Sequence, residues 1–500
     1  MIIKSILSAI FLLFSLAAFA QNKPIGIFDS SADIGNPKKA GSAQFDEQTQ
    51  TYTLRGSGYN IWFERDEFQF LHKKLTGDFM LTAHFAFVGE GKDPHRKVGW
   101  MIRESPEANA AHISAVVHGD GLTVLQWRLL RGAFMRDPED EIFAPKKNYG
   151  IVQLERVGKK VTMRAAPEGE PLQTIGIKEM ENLKEEVLAG LFISSHNEEA
   201  VEEARVWNVR ISKPVAEGQK IQGSRLETMN VSDGKRKVIY ESAARFEAPN
   251  WMPDGKKLLF NEEGSLYTIP LAGGTPEKLN TGFADRNNND HGISFDGKML
   301  AISHHRQGLP GGGSTVYVLP LAGGTPVQVT EQTPSYWHGW SPNGKEVLFV
   351  GQRGTPVYDI YKASIKGGKE TRLTNNQGSH ADGPEFSPDG KFIYYNANPT
   401  GTMQIWRMKA NGAGQEQITF DEYNDWFPHI SPDGKWMVFL SYPADIDPGG
   451  HPANKPVMLR LVPTSGGAPK VIAHLYGGQG TINVPSWSPD SKQISFVSYF

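Results

Sequence analysis

Apolar and polar residues alternate along much of this chain with a period of two, and no long stretch shows the wider period of an amphipathic helix, so the expected elements are β-strands. In the C-terminal half the strands form a repeat. From residue 249 to Phe500 a strand, a tight turn and a second strand recur six times, the turns being Pro253-Asp254-Gly255, Phe295-Asp296-Gly297, Pro342-Asn343-Gly344, Pro388-Asp389-Gly390, Pro432-Asp433-Gly434 and Pro489-Asp490-Ser491. An apolar run follows each turn, as in Leu258-Leu259-Phe260, Val347-Leu348-Phe349-Val350 and Trp436-Met437-Val438-Phe439-Leu440. Repeats of roughly 40 to 50 residues built from strands and tight turns are the mark of a β-propeller.

A hairpin with a Gly-rich tip follows five of the turns, at Gly273-Gly274, Gly323-Gly324, Gly367-Gly368, Asn411-Gly412 and Gly466-Gly467. A sixth, Val231-Ser232-Asp233-Gly234, precedes the first turn, and no hairpin follows the last one before Phe500. Two half-blades are therefore expected to complete one another, closing a six-bladed ring and hiding its free sheet edges.

The N-terminal half lacks this repeat. In Phe79-Met80-Leu81-Thr82-Ala83-His84-Phe85-Ala86-Phe87 the apolar residues fall at every odd position, predicting a strand with one buried face and a more polar face carrying Thr82 and His84. Further strands are expected over 97–103, 112–117, 122–128, 151–157, 160–164, 188–194 and 204–211, an arrangement that suggests two packed sheets. Trp62, Trp100 and Trp127 are either core residues or platforms for sugar rings.

The last repeat reads Asn483-Val484-Pro485-Ser486-Trp487-Ser488-Pro489-Asp490, and with it residues 224–500 resemble a TolB-type propeller, whose blades carry Asn-x-x-Pro-x-Trp-Ser-Pro-Asp-Gly-Lys. The strings Gly58-Tyr59-Asn60-Ile61-Trp62, Leu75-Thr76-Gly77-Asp78-Phe79, Val98-Gly99-Trp100-Met101-Ile102-Arg103-Glu104-Ser105 and Leu154-Glu155-Arg156-Val157-Gly158 resemble a concanavalin-like jelly-roll module, a type often appended to secreted proteins that handle polysaccharides. The expected fold is all-β: a signal peptide over 1–20, a concanavalin-like β-sandwich over 21–213, a linker over 214–223 and a six-bladed propeller over 224–500. The propeller resemblance implies a scaffold and leaves function open, since such rings serve as interaction platforms, transport accessories and enzymes.

Composition adds an address. Lys4, the apolar run from Ile6 to Phe19 and small residues at Ala18 and Ala20 read as a secretory signal cleaved after Ala20, with no later segment able to span a membrane. The expected location is periplasmic or secreted. Cysteine is absent, so neither disulfides nor a lipid-modified cysteine are expected, and about 480 mature residues are enough to be stabilised by their cores. A net charge of −3 with the two signs interspersed argues against a nucleic-acid partner.

Aligning the six repeats on the residue before each turn identifies a ring of candidate ligand residues. Five positions earlier stand Glu247, Asn289, Tyr336, Asp382, Trp426 and Asn483; three positions earlier, where four blades have Pro, stand His291 and His338. Because each second strand returns from the turn, the loops after it open beside this ring. Those loops bring His304, His305, Arg306, Arg353 and the insertion from Asp445 to His451, while an entry loop adds His380. Arginine can clamp a carboxylate, Asn and Asp bind hydroxyls, and aromatic rings stack on sugars, so a polar ligand such as an acidic sugar fits this mixture.

Two functions are consistent with it. In one, an exported protein binds a glycan or an envelope protein through the polar, His-rich propeller face. In the other, a polysaccharide lyase or glycoside hydrolase uses His291 or His338 as base, Arg306, Arg353 or a divalent metal to neutralise a carboxylate, and Tyr336 as proton donor. Oligogalacturonate lyases, a propeller family related to the TolB repeat, use a His-rich metal site on such a face, and His291, His304, His305, His338, His380 and His451 are the imidazoles available here. The propeller is also similar to those of prolyl oligopeptidase-like enzymes, but no Gly-x-Ser-x-Gly elbow accompanies it, which argues against a serine peptidase.

Overall fold

A computed structural model describes residues 24–375 and 378–500, so the signal sequence read in residues 1–20 lies outside the described residues. The described residues are all-β apart from one short 3-10 turn, Pro310–Gly313. Its C-terminal half is a six-bladed propeller. Blade 1 runs from Phe246–Trp251 through Lys257–Glu262 and Ser265–Pro270 to Glu277–Lys278; blades 2, 3, 4 and 5 begin with Asn287–Ile293, Ser335–Trp340, Ala381–Phe386 and Asn424–Ile430 and repeat the four-stranded antiparallel order.

Blade 6 is closed by distant parts of the chain. Its central strand, Ser224–Asn230, pairs on one side with Arg236–Ser242 and on the other with Gln493–Tyr499, in the register Leu226 opposite Val497. Trp487 bridges Ile494 to supply the innermost position.

The repeated turn has a defined chemistry. In blades 2 to 6 a Ser precedes the turn, and in blade 4 the Ser387 hydroxyl donates to Asp389 Oδ1 at 2.7 Å while accepting from the Phe392 amide at 3.0 Å. The same pair of bonds recurs at Ser294, Ser431 and Ser488. The third turn residue takes a positive φ, 71° at Gly390, which Gly adopts without strain; Ser491 holds φ 62° in the last blade. Indole nitrogens then tie neighbouring blades, Trp340 donating to the Gly292 carbonyl and Trp487 to that of His429, both at 2.9 Å.

The N-terminal half forms two seven-stranded antiparallel sheets. One contains Phe68–Thr76, Glu186–Ser194, Lys97–Arg103, His112–His118 and Thr123–Arg128 in adjacent positions; the other is built around Ile151–Val157, Phe79–Phe87 and Asn197–Ser212. Side chains from both sheets, among them Leu71, Trp100, Leu125, Leu81, Leu154 and Val206, share one buried core. Trp100 and Trp127 belong to that core and cannot serve as sugar platforms.

The strand Phe79–Phe87 departs from its expected one-sided burial. Thr82 and His84, on the face read as more polar, are buried together with Met80, because that face turns towards the propeller: Met80 packs in a cluster with Ile221, Leu226 and Tyr499. Further contacts link the halves. Arg210 donates to Glu227 Oε2 at 2.5 and 3.0 Å, Asn208 Oδ1 accepts from the Arg236 amide at 2.8 Å, and Tyr476 accepts from the Val215 amide at 2.8 Å.

Candidate functional site

In blades 1 to 5 the inner propeller strand reaches the channel mouth and slips register there. The pairing jumps between Glu247 and Asn250, Asn287 and His291, Trp337 and Gly339, Asp382 and Glu385, and Trp426 and His429. An extra residue in one strand re-aims its neighbours' side chains. Ala248 and Phe427 accordingly hold positive φ, 59° and 57°, in the left-handed region that is unusual for such residues.

These bulged ends surround a cavity of about 320 Å³. Of the six aligned ring residues, Asn289, Tyr336, Asp382 and Trp426 line it; His338 and His380 join them. Glu247 and Asn483 stand outside the lining. Glu247 is held by Arg245 at 2.5 and 2.8 Å, and Asn483 supports the cavity from behind by donating to Asp290 Oδ1 at 3.0 Å.

The other expected residues are placed elsewhere. His291 is fully buried away from the lining, and burial takes its imidazole down to about 3, so it is a neutral packing residue in the structure. Arg306 donates to Thr315 Oγ1 at 2.9 Å. Arg353 is shared by Glu370 at 2.8 Å, the Pro334 carbonyl at 2.7 Å and Ser335 Oγ at 2.7 Å. Both arginines brace their own blades, and among the described residues no Lys or Arg lines the cavity. His304 and His305, adjacent at a strand end, point to opposite sides: His305 reaches the cavity, whereas His304 packs against Phe283 and Tyr317 at 5.8 and 6.1 Å.

The bulge explains what sequence alignment missed. In Asn287-Asn288-Asn289-Asp290-His291 it carries Asp290 into the cavity and leaves His291 behind. A run of four polar residues where an inner strand should alternate was the available signal. Tyr358, Phe427 and Gln479 also join the wall without having been singled out.

At the centre His338 Nε2 meets Asp382 Oδ1 at 3.0 Å, and Asp382 Oδ1 also accepts from the Gly383 amide at 2.7 Å. Burial alone would lower the pKa of His338, but the hydrogen bond and charge of Asp382, with Asp290 adding to them, raise it. Burial pushes Asp382 the other way, yet the same bond and the His338 charge take its pKa below the ordinary carboxylate value. The pairing thus favours the protonated imidazole and the ionised carboxylate. Asp290 is pushed up to about 6, chiefly by burial, against the pull of His338.

Aromatic groups frame this pair. Phe427 stacks on His338 with centroids 6.0 Å apart, and Trp426 meets His451 edge-on at 4.5 Å, its indole nitrogen buried without a partner. Tyr336 and Tyr358 lie 6.0 Å apart and, mainly through burial, have raised pKa values that keep both hydroxyls protonated. The insertion carrying His451 is pinned by Asn424 donating to the Ile446 carbonyl and Tyr442 to that of Pro452, each at 2.9 Å. Among the described residues no three His, Asp or Glu side chains are grouped to share a metal ion.

A six-bladed ring with a cavity of aromatic, His, Asp and Asn side chains at its mouth defines a propeller protein with a ligand-sized site. The family described as the TolB beta propeller domain matches residues 311–446. The uncharacterized protein Atu1656 of Agrobacterium fabrum is 49% identical over 278 residues, covering 55% of this chain and 92% of that protein. A solved Agrobacterium tumefaciens structure, described provisionally as TolB, is 49% identical with a TM-score of 0.53, covering 56% of this chain and 98% of that one. The Tol-Pal system protein TolB of Anaeromyxobacter dehalogenans is 31% identical over 90 residues, 18% of this chain and 20% of that protein. Through its C-terminal half, this chain belongs to the TolB-like β-propeller family.

Proposed function

We propose that this is an exported binding protein, periplasmic or secreted, that receives a polar group of a glycan or of an envelope protein in the cavity at the propeller mouth. The observation that carries the reading is the His338–Asp382 pair, buried among Tyr336, Tyr358, Trp426 and Phe427 and open to the cavity. Aromatic walls with a few convergent polar groups are the usual form of a small-ligand site. Two aspartates and no lysine or arginine in the lining favour hydroxyl- or amide-bearing groups over the carboxylate of an acidic sugar.

Supporting this reading are the leader-like residues 1–20 and the likeness to TolB of the Tol-Pal system. We read residues 21–213 as a concanavalin-like β-sandwich, 214–223 as linker and 224–500 as the propeller; the two facing sheets and shared core support the first assignment.

The Asp-oriented imidazole favours a second reading, a polysaccharide lyase or glycoside hydrolase in which His338 transfers a proton and Tyr336 donates one. Both are tested together by titrating the protein calorimetrically with neutral and acidic oligosaccharides while following unsaturated uronide absorbance and new reducing ends. Saturable binding without product, lost in His338→Ala and Asp382→Asn, is expected. Product formation abolished by those substitutions establishes the enzyme instead, and binding unchanged in both removes the cavity from either account.

A further inference from the structure

The turns that join the inner strands surround the far mouth of the channel, at the opposite end of those strands from the His338–Asp382 pair. A second cavity of about 330 Å³ lies there, walled by Trp251, Trp337, Trp340, Trp487, Ile430 and Phe295 together with prolines of the turns. Five of the six turns open with Pro. The turn of blade 2 opens instead with Phe295, whose ring is 49% exposed and lines the cavity. A large apolar ring facing water at a cavity mouth, where proline is the local rule, needs a reason.

The polar groups of the wall point the same way. Trp340 and Trp487 commit their indole nitrogens to carbonyls of the preceding blade. Trp251 stands at the same place before its own turn, yet its indole nitrogen is buried without a partner, as is that of Trp337. Asn250 is 2% exposed and donates through Nδ2 to the Pro485 carbonyl at 2.7 Å, which fixes its amide and leaves Oδ1 buried with no donor. All three residues line the cavity, and buried donors and acceptors left unpaired are costly. The other polar groups of the lining are engaged: Ser294 donates to Asp296 at 2.7 Å, and Glu385 accepts from the Ile430 amide at 3.0 Å and meets Nδ1 of the buried His429 at 2.6 Å. Among the described residues no Lys or Arg lines this cavity, and Lys298 and Lys391 at the rim pair with the aspartates of their own turns at 3.6 and 2.9 Å.

We propose that this cavity binds an apolar amide, an aryl or branched-alkyl body carrying one amide group. The body packs on Phe295 and the tryptophan wall, the amide N–H donates to Asn250 Oδ1, and the amide carbonyl accepts from the indole of Trp251 or Trp337. An ammonium group would bring donors only and a carboxylate acceptors only, and either would carry a charge into a wall whose one carboxylate is already bonded to His429. Unpaired donors and an unpaired acceptor on separate residues suit the separate N–H and C=O of an amide better than the single oxygen of an alcohol. The site shares no lining residue with the cavity of His338 and Asp382 and is independent of the function proposed there.

The test is calorimetric titration of the whole protein with N-benzylacetamide, N-acetylphenylalaninamide, benzyl acetate, phenethylamine and phenylpropionate. Both amides are expected to bind saturably and about tenfold more tightly than benzyl acetate, which keeps the ring and the carbonyl but lacks the N–H. Which amide binds better tells a small-molecule source from a peptide. Phe295→Pro, which restores the residue of the other turns, should weaken amide binding about tenfold with the melting temperature unchanged. Asn250→Ala should erase the preference for amide over ester, a change that lost packing alone does not produce. Phe420→Ala removes a ring that is 76% exposed and lines neither cavity, and should leave binding intact. Absence of saturable amide binding overturns the proposal, as does amide binding that Phe295→Pro leaves unchanged, or tighter binding of the amine or the carboxylate.

Discussion

Asp66 in the N-terminal sheets and Asp382 in the propeller are both buried carboxylates with cationic partners, but they serve different ends. Asp66 is paired with two arginines that direct their remaining donors to backbone carbonyls, and the buried His112 ring lies 3.8 Å from it. Asp382 is paired with a histidine that does titrate, faces a second carboxylate, Asp290, and opens on a cavity. Saturated partners make a rigid scaffold; titratable partners beside empty space make a responsive site.

That contrast can be broken most forcefully at Asp66. Asp66→Ala leaves two buried guanidinium groups without a counter-ion and should cost about 3–5 kcal/mol in denaturant unfolding. The same half should weaken in acid. Burial first, then nearby cations, hold His112 and His118 well below their ordinary pKa, so the unfolded chain takes up protons that the folded one refuses. Stability measured by melting should therefore fall as pH drops below about 6.5.

At the channel mouth the sign differs. Asp290 has a folded value of about 6 against an ordinary 3.8, so its ionisation carries no cost below 3.8 and the full cost above 6. Asp290→Asn should stabilise the protein by up to about 3 kcal/mol at pH 8 and by nothing at pH 3. The His338–Asp382 pair is smaller in effect. Its histidine contribution is complete below about 6.5 and lost as pH rises through the raised folded value; its aspartate contribution is present above about 3.8 and lost as pH falls through the lowered one. His338→Ala should thus cost about 1–2 kcal/mol at pH 5.5 and less at pH 8. Ligand binding to the cavity, followed calorimetrically, should weaken over the same alkaline range.

The two regions also differed in how far their sequences could be read. The Ser-Pro-Asp-Gly turns announced the blades because the chemistry there is local, with Ser387 bonding Asp389 and the Phe392 amide and Gly390 taking the positive φ. The channel mouth was legible only in part, since alignment by turn assumes unbroken alternation. The bulges broke it, bringing Asp290 in and leaving His291 out. Arg306 and Arg353 sit in the loops expected, but their hydrogen bonds turn them inward to their own blades. The buried cluster of Asp66, Arg103 and Arg128 had no sequence signal, because its members come from three separate strands.

Glu227 gives the propeller's closure a temporal meaning. It lies on the central strand of blade 6 and is fully buried, accepting from Arg210 of the N-terminal sheets, from Arg236 of the next strand at 2.6 Å and from Ser498 of the closing strand at 2.5 Å. Three parts of the polypeptide that emerge at very different moments of synthesis converge on one carboxylate. Its charge is met by Arg210 and Arg236, both earlier in the chain, while residues 493–499 add the Ser498 hydroxyl and the pairing along the free side of the strand. Ring closure is therefore a late event, and a chain halted short of that strand presents a chaperone with one side of Ser224–Asn230 still open.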